Sequence, residues 1–275
     1  MRKIGFIMAL LALISGVAGW LLRRQEVATI FDPYTGLAEA WAPVSLALMI
    51  LSGITVLLLF IVSRTLPNQN VTTFRAAFDG SPLLAILIIL LSLGLTALAV
   101  GAMGGALRDW VWAVGAALSG LCLLYMSLRG GSGRNVAITS VVPVLWLCMW
   151  LVFAYIDHAT NPTLLYYVYY FFALAALILG FYYMTGFAFG LGNPKGLLFS
   201  GSAAVYFTAV TMADGHALLQ RGILLALALI LLLYQLLLTW NLSRAPVAPP
   251  NEMPETPNPS ETDPPFDNET FKTEE

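Results

Sequence analysis

Long apolar runs that contain no Asp, Glu, Lys or Arg dominate the first 243 residues of this 275-residue chain. Eight of these runs have at least 18 residues, and a helix needs about 20 apolar residues to cross about 30 Å of hydrocarbon. The short alternating segments typical of a membrane β-barrel do not occur. The pattern therefore predicts an all-α, polytopic integral membrane protein with about eight transmembrane helices.

These runs, trimmed at their polar ends, predict a helical bundle over residues 1–244. The predicted spans are 4–22, 42–63, 83–105, 110–128, 136–156, 163–188, 197–213 and 222–241. The run 158–194 is longer than one span needs but too short for two spans and a turn. We therefore predict one long helix there, followed by a turn through Gly190 and Pro194. The span 197–213 is the most polar of the eight.

The first apolar segment follows Arg2 and Lys3, as the apolar core of a signal peptide would. It is longer than the roughly 7–15 residues usual for such a core. Arg23 and Arg24 also stand where a small-residue cleavage site would be expected. We predict an uncleaved first span.

Composition narrows the class of protein further. Hydrophobic residues make up 59% of the chain and charged residues 10%, whereas soluble domains carry about 25% charged residues. Two cysteines, both inside predicted spans, cannot form a disulfide framework. These values exclude a nucleic-acid-binding protein, a disulfide-stapled secreted domain and a wholly disordered chain. The lipid bilayer is the expected partner.

The C-terminal segment 245–275 has a different composition from the rest of the chain. It holds eight of the 15 prolines and eight of the 15 acidic residues. Such a segment cannot bury enough apolar surface to offset the entropy lost on ordering. We predict a disordered acidic tail. Binding of this tail to a cytoplasmic protein is the alternative that the sequence leaves open.

The distribution of Lys and Arg between alternate loops predicts the orientation, because cytoplasmic loops carry the excess. With a cytoplasmic N-terminus, eight of these residues lie inside and four outside: Arg2, Lys3, Arg64, Arg75, Arg129, Arg134, Lys195 and Arg244 against Arg23, Arg24, Arg108 and Arg221. This bias predicts a cytoplasmic-membrane protein with both termini in the cytoplasm.

Small residues four positions apart recur in the predicted helices. The pairs are Gly101 and Gly105, Gly115 and Ser119, and Gly186 and Gly190. This spacing puts both members on one helix face, where a neighbouring helix can approach closely. We predict helix contacts at these positions, with a hinge as the alternative at Gly186 and Gly190.

Hydroxyl groups concentrate in the sixth and seventh predicted spans. In lipid such groups need partners or a wet surface. They predict either hydrogen bonds between helices or a polar ligand pocket lined by Tyr182, Tyr183, Thr185, Ser200, Ser202, Tyr206 and Thr208.

Both histidines of the chain stand beside an aspartate in a predicted outer loop. The residues are Asp157, His158, Asp214 and His216. Two imidazoles and two carboxylates would suit a zinc-like divalent ion. The alternative is ordinary interfacial polarity at the ends of membrane helices.

Function is constrained mainly by the motifs that the sequence lacks. It contains no His-Glu-x-x-His, no phosphate-binding glycine loop and no Cys-x-x-Cys, so no cofactor is expected. The leading hypothesis is a non-catalytic, permease-like protein that binds a small molecule, or a membrane subunit of a larger assembly. The alternative is a membrane-embedded metal enzyme that uses the outer Asp/His set. A stoichiometric divalent ion bound to the purified protein would favour this alternative.

The first prediction concerns topology. Reporter fusions after Arg64, Arg134 and Lys195 should report the cytoplasm, because the basic loops stay inside. Fusions after Asp109, Asp157 and Asp214 should report the exterior. An external signal from a reporter at the C-terminus would contradict the predicted even number of crossings.

Overall fold

The computed structural model of the protein describes residues 2–30, 42–66, 71–129, 134–159 and 164–242. Within these ranges the regular structure is helical and there is no strand, which confirms the all-α prediction. A 3₁₀ turn at Leu164–Tyr167 precedes the seventh α-helix. The α-helices are α1 (Arg2–Thr29), α2 (Pro43–Arg64), α3 (Phe74–Phe78), α4 (Pro82–Gly101), α5 (Leu107–Arg129), α6 (Arg134–His158), α7 (Val168–Ala188), α8 (Pro194–Thr211) and α9 (Leu218–Leu242).

Seven of the helices in the described ranges are long and apolar enough to cross a membrane. They are α1, α2, α4, α5, α6, α7 and α9. A helix satisfies its own backbone hydrogen bonds, as lipid requires of any segment that crosses it. The chain is therefore a multi-pass membrane protein built as a helical bundle.

Helices α2 and α4 present the most apolar surface to the surroundings. Only 22% of the most apolar window of each is buried. Met49 and Leu57 of α2 and Leu83 and Leu90 of α4 are each more than half exposed. Such faces are stable when they contact lipid chains, which are as apolar as leucine.

Helix α8 lies in the interior of the bundle although it covers the most polar predicted span. It packs against α1, α2, α7 and α9, and 13 of its 18 residues are buried. Pro194 occupies its first turn, and the Asn193 side chain accepts a hydrogen bond from the Gly196 N–H at 3.1 Å, a typical N-cap. Because neighbouring helices surround α8, it does not need the apolarity of a lipid-facing helix.

The long charge-free run 158–194 contains one long helix and a turn. Helix α7 ends at Ala188, and Gly190 then adopts a φ of +76°, a conformation that favours glycine. The Gly192 N–H donates to the Thr72 carbonyl at 3.0 Å, which ties this turn to the connection between α2 and α4.

The sequence pattern did not predict α3, a single buried turn and a half between α2 and α4. Phe74 and Phe78 pack against Tyr234 of α9 with ring centroids 6.1 and 5.0 Å apart. The Asn241 amide donates to the carbonyls of Ala77 at 2.8 Å and Asp79 at 2.6 Å. These bonds satisfy carbonyls at the end of α3 that have no partner within a helix. The predicted tail, residues 245–275, lies outside the described residues.

Only one of the three predicted small-residue pairs packs two helices together. A Cβ added to Gly115 would lie 2.3 Å from Trp146, and Ser119 is fully buried, so this pair brings α5 against α6. A Cβ on Gly101 would meet nothing within 4 Å, and Gly105 has a φ of +84° in the α4–α5 connection. A Cβ on Gly186 would lie 3.2 Å from the Leu191 carbonyl oxygen, in the turn that follows α7. The prediction of helix contacts is therefore wrong for Gly101 and Gly105, whereas Gly186 and Gly190 lie where α7 passes into the predicted turn.

The second prediction tests the close contact of α4 and α5. A Cβ at Gly120 would lie 2.3 Å from Thr96 Oγ1 and 3.1 Å from two backbone atoms of α4. Gly120→Ala should therefore destabilise the bundle by about 1–3 kcal/mol, the usual cost of overpacking. The matched control is Gly94→Ala on α4, where a Cβ would meet nothing within 4 Å. Thermal unfolding in detergent should show a lower Tm for Gly120→Ala alone; equal Tm values would contradict the close contact.

Candidate functional site

A buried ion-pair network lies at the end of the bundle where α1 ends and α2 begins. Arg23, Glu26 and Asp214 are at most 5% exposed. The Arg23 Nε donates to Asp214 Oδ1 at 2.7 Å, and its Nη1 donates to Glu26 Oε2 at 2.7 Å. Its Nη2 donates to the Tyr166 carbonyl. One guanidinium thus joins α1, the α8–α9 connection and the 3₁₀ turn before α7.

Helix α2 joins the same network through a hydroxyl group. The Ser45 Oγ donates to Glu26 Oε1 at 2.5 Å. With both carboxylates ionised, the network has one positive and two negative charges in an environment that solvates charge poorly. Burial raises the pKa of the Asp214 carboxyl to about 6, although the Arg23 charge opposes the rise. Protonation of Asp214 would leave the network neutral.

His216 lies next to Asp214. Its Nε2 is 3.8 Å from Asp214 Oδ2, and neither atom has a hydrogen-bond partner. Burial lowers the pKa of the His216 imidazole to about 4, and the positive charges of His158, Arg221 and Arg23 act in the same direction. His216 is consequently a neutral imidazole at neutral pH and can accept a hydrogen bond.

A cavity of about 230 Å³ opens beside His216. The α4–α5 and α8–α9 connections, the start of α5, the end of α6 and the starts of α7 and α9 enclose it. Four aromatic residues form much of the wall: Trp112, Trp150, Phe153 and Tyr170. The rings of Trp112 and Trp150 meet edge to face with centroids 5.1 Å apart, and the Tyr170 ring lies 4.3 Å from that of His216.

Three residues around the cavity carry buried nitrogen atoms without a hydrogen-bond partner. They are Trp112 Nε1, His158 Nδ1 and His216 Nε2. Most buried polar atoms in proteins are paired, and an unpaired one costs about 1–3 kcal/mol.

The charged groups at the rim of the cavity are largely engaged with each other. Arg108 of α5 makes a two-pronged ion pair with Asp157 of α6, with Nη2 2.7 Å from Oδ2. Asp109 accepts a hydrogen bond from the Ala106 N–H at 3.0 Å. Asp109 therefore caps the start of α5, and the Arg108–Asp157 pair fixes α5 against α6.

The structure brings most of the predicted metal set to this one cavity. Asp157, His158 and His216 border it, and Asp214 lies behind His216. Both carboxylates, however, bind arginines, and His158 stacks on Tyr167 with ring centroids 3.6 Å apart. In the described part of the chain, no group of three or more His, Cys, Asp and Glu residues could hold a metal ion. The observed contacts serve ion pairing and aromatic stacking.

The predicted hydroxyl pocket residues lie elsewhere, at contacts between helices. None of the seven borders the cavity described above. Tyr206 shares a hydrogen bond with Ser52 at 2.7 Å, and Ser202 accepts one from Gln235 at 2.6 Å.

Of the other hydroxyl residues, only Thr185 makes a hydrogen bond to another helix. Thr185 donates to the Ser140 carbonyl at 2.8 Å, and Ser200 donates to the Gly196 carbonyl at 2.7 Å within α8. Tyr183 packs over Gly196, and Tyr182 is 60% exposed. Thr208 is buried without a partner. Three of the seven residues, Thr185, Ser202 and Tyr206, therefore make hydrogen bonds between helices, as the alternative describes.

Sequence reasoning missed most of the network and the aromatic wall. Dividing the chain at every charge ended the first span at residue 22, whereas α1 continues to Thr29 and buries Arg23 and Glu26. Their spacing of three residues, which puts opposite charges on one helix face, was the available signal. No comparable signal marks Trp112, Trp150 or Tyr170, because aromatic residues are also common in membrane helices that only pack.

Comparisons with protein-family models, with curated proteins and with solved structures find no match for this chain.

The third prediction tests the ion-pair network with two neighbouring arginines. Arg23→Gln should destabilise the bundle by about 3–5 kcal/mol, because it leaves two buried carboxylates without their counter-ion. Arg24→Gln should change stability by no more than about 0.5 kcal/mol, because Arg24 is exposed. Unfolding in detergent measures both variants. Equal stabilities would show that the buried ion pairs contribute nothing net.

Proposed function

We propose that this protein is a permease-like membrane protein that binds a small molecule in the aromatic cavity beside His216. The single observation that carries the proposal is the cavity itself, whose border combines four aromatic residues with the imidazoles of His158 and His216. Ligand sites typically combine apolar and aromatic walls with a few polar groups that fix orientation.

The residues around the cavity support binding rather than catalysis. Among the described residues that border it there is no Ser, Thr, Cys or Lys to act as a nucleophile. His216, with a pKa of about 4, is a weak base at neutral pH, whereas an efficient general base has a pKa near the working pH. Asp157 is held by Arg108. These features favour a non-catalytic role.

The proposal includes the orientation inferred from the basic residues. With both termini in the cytoplasm, the end of the bundle that carries the cavity faces the outside of a cytoplasmic membrane. The burial of Arg23 supports this orientation, because an arginine neutralised inside the bundle adds little to the positive charge of an outer loop. A ligand would then enter from the external solution.

The fourth prediction tests whether the cavity binds small molecules at all. The probes are benzylamine, benzyl alcohol and benzoate, which share one aromatic ring and differ in charge. At least one should raise the Tm of the wild-type protein saturably, because a ligand that binds only the folded state stabilises it by about 2.7 kcal/mol at a hundredfold excess over Kd.

Two variants, each of which replaces an alanine with phenylalanine, locate the binding site. Ala217 is exposed and borders the cavity, so Ala217→Phe should obstruct it and abolish the Tm shift. Ala97→Phe adds the same ring to an exposed position of α4 away from the cavity and should leave the shift unchanged. A shift that survives Ala217→Phe would place the ligand elsewhere, and no shift with any probe would count against the proposal.

A further inference from the structure

We propose that the aromatic cavity binds an uncharged ring compound and that the Arg108–Asp157 ion pair sets this selectivity. This inference rests on the proposed function and adds the chemical class of the ligand and the residues that select it. Three features of the cavity carry it: the size, the aromatic wall and the pairing of the charges at the border.

The size and the wall of the cavity suit a single aromatic ring. A cavity of about 150 Å³ is large enough to bind benzene, and this one has a volume of about 230 Å³. Trp112, Trp150, Phe153 and Tyr170 supply rings to the wall, and another ring can pack against their faces and edges. Gln220 also borders the cavity, and its amide can both donate and accept a hydrogen bond. The cavity therefore suits one ring with a short polar substituent.

The charged groups at the border of the cavity are already bound to protein groups. In the described part of the chain they are Arg108, Asp109 and Asp157. Arg108 donates to both carboxylate oxygens of Asp157, so the pair has no net charge. Asp109 accepts a hydrogen bond from the Ala106 N–H and is exposed, so water and salt screen its charge.

The imidazole of His216 adds no charge to the wall. Burial lowers its pKa to about 4, so it is neutral at neutral pH, and its ring lies 4.3 Å from that of Tyr170. The Asp214 carboxylate next to it binds the buried Arg23. This side of the cavity therefore presents neutral rings to a ligand.

An ion of either sign would consequently enter the cavity at a net cost. An ion that leaves water needs an opposite charge to replace its hydration, and a paired charge cannot supply one without losing its own partner. Near His216, the positive charges of Arg23 and Arg221 would repel a cation. At the border, Asp109 and Asp157 would repel an anion. An uncharged compound avoids both penalties.

The fifth prediction compares the Kd values of the three benzyl probes at about pH 7.5, where benzylamine is protonated and benzoate is ionised. Isothermal titration of the intact protein in a nonionic detergent measures each Kd. The Ala217→Phe protein, whose cavity is obstructed, is the blank for partition of the probes into detergent. Benzyl alcohol should bind at least about tenfold more tightly than either ion, because each ion would lose its hydration without gaining a counter-charge.

Two single variants test whether the ion pair sets the selectivity. Asp157→Asn leaves Arg108 without its partner, so benzoate should gain about three- to fivefold in affinity relative to benzyl alcohol. Arg108→Gln leaves Asp157 alone, so benzylammonium should gain by a similar factor. The two side chains are 47% and 36% exposed, so loss of the pair should cost little stability.

Two further variants are matched controls. The double variant Arg108→Gln/Asp157→Asn removes both charges and should restore the wild-type preference for the alcohol. Arg75→Gln breaks the exposed Arg75–Asp79 pair of α3, and Arg75 does not border the cavity. This variant should leave all three Kd values unchanged.

The outcomes separate this inference from the proposed function. If either ion binds as tightly as the alcohol and Ala217→Phe abolishes that binding, the cavity remains a binding site and the preference for uncharged compounds is overturned. Kd ratios that stay unchanged in both single variants would show that the ion pair does not set the selectivity, and would also overturn the inference. Failure of every probe to bind the wild-type protein would remove the proposed function as well.

Discussion

The hydrogen bonds of the Arg23 guanidinium hold together one end of this bundle. A charged group buried among membrane helices is stable only when protein groups replace the water it has lost. Arg23 finds two carboxylates and a backbone carbonyl, which come from α1, the α8–α9 connection and the 3₁₀ turn before α7. Ser45 adds α2 through its bond to Glu26. The relative positions of these segments therefore depend on one side chain.

The cavity is a consequence of how these connections are held. Asp214 is fixed to Arg23, and His216, two residues later, forms part of the cavity wall. On the opposite side, the Arg108–Asp157 pair connects α5 to α6. These two helices bear the Trp112 and Trp150 rings, which meet at the cavity wall. The two ion pairs thus anchor opposite walls, and the space between them is left to aromatic rings and imidazoles.

The class of fold was predictable because lipid imposes a simple rule on sequence. A segment that crosses the bilayer must be apolar and helical, and charge-free runs identify such segments directly. The same rule limited the prediction at the ends of helices. Arg23 and Glu26 neutralise each other within α1, so the charges that seemed to end the helix are part of it. The short helix α3 was not predicted because its buried residues have helical spacing over only five residues, too few to establish a period.

The candidate site was only partly predictable for a related reason. Asp157, His158, Asp214 and His216 do gather at one end of the bundle, but their partners come from helices far away in the chain. Pairing with arginine or with an aromatic ring depends on tertiary contacts, which composition cannot reveal. The hydroxyl groups of α7 and α8 likewise looked like a pocket because the sequence does not show that Ser52, Ser140 and Gln235 lie opposite them.

The central position of α8 has a consequence for how the chain enters the bilayer during synthesis. Membrane helices are normally transferred from the insertion machinery into lipid when they are apolar enough to partition there alone. Helix α8 is not among the helices of the described chain that meet such a standard, and its buried hydroxyls would face lipid if it partitioned alone. We expect it to enter lipid together with α7 or α9, against which it packs in the finished bundle. The most buried helix is therefore also the one whose insertion depends most on its neighbours.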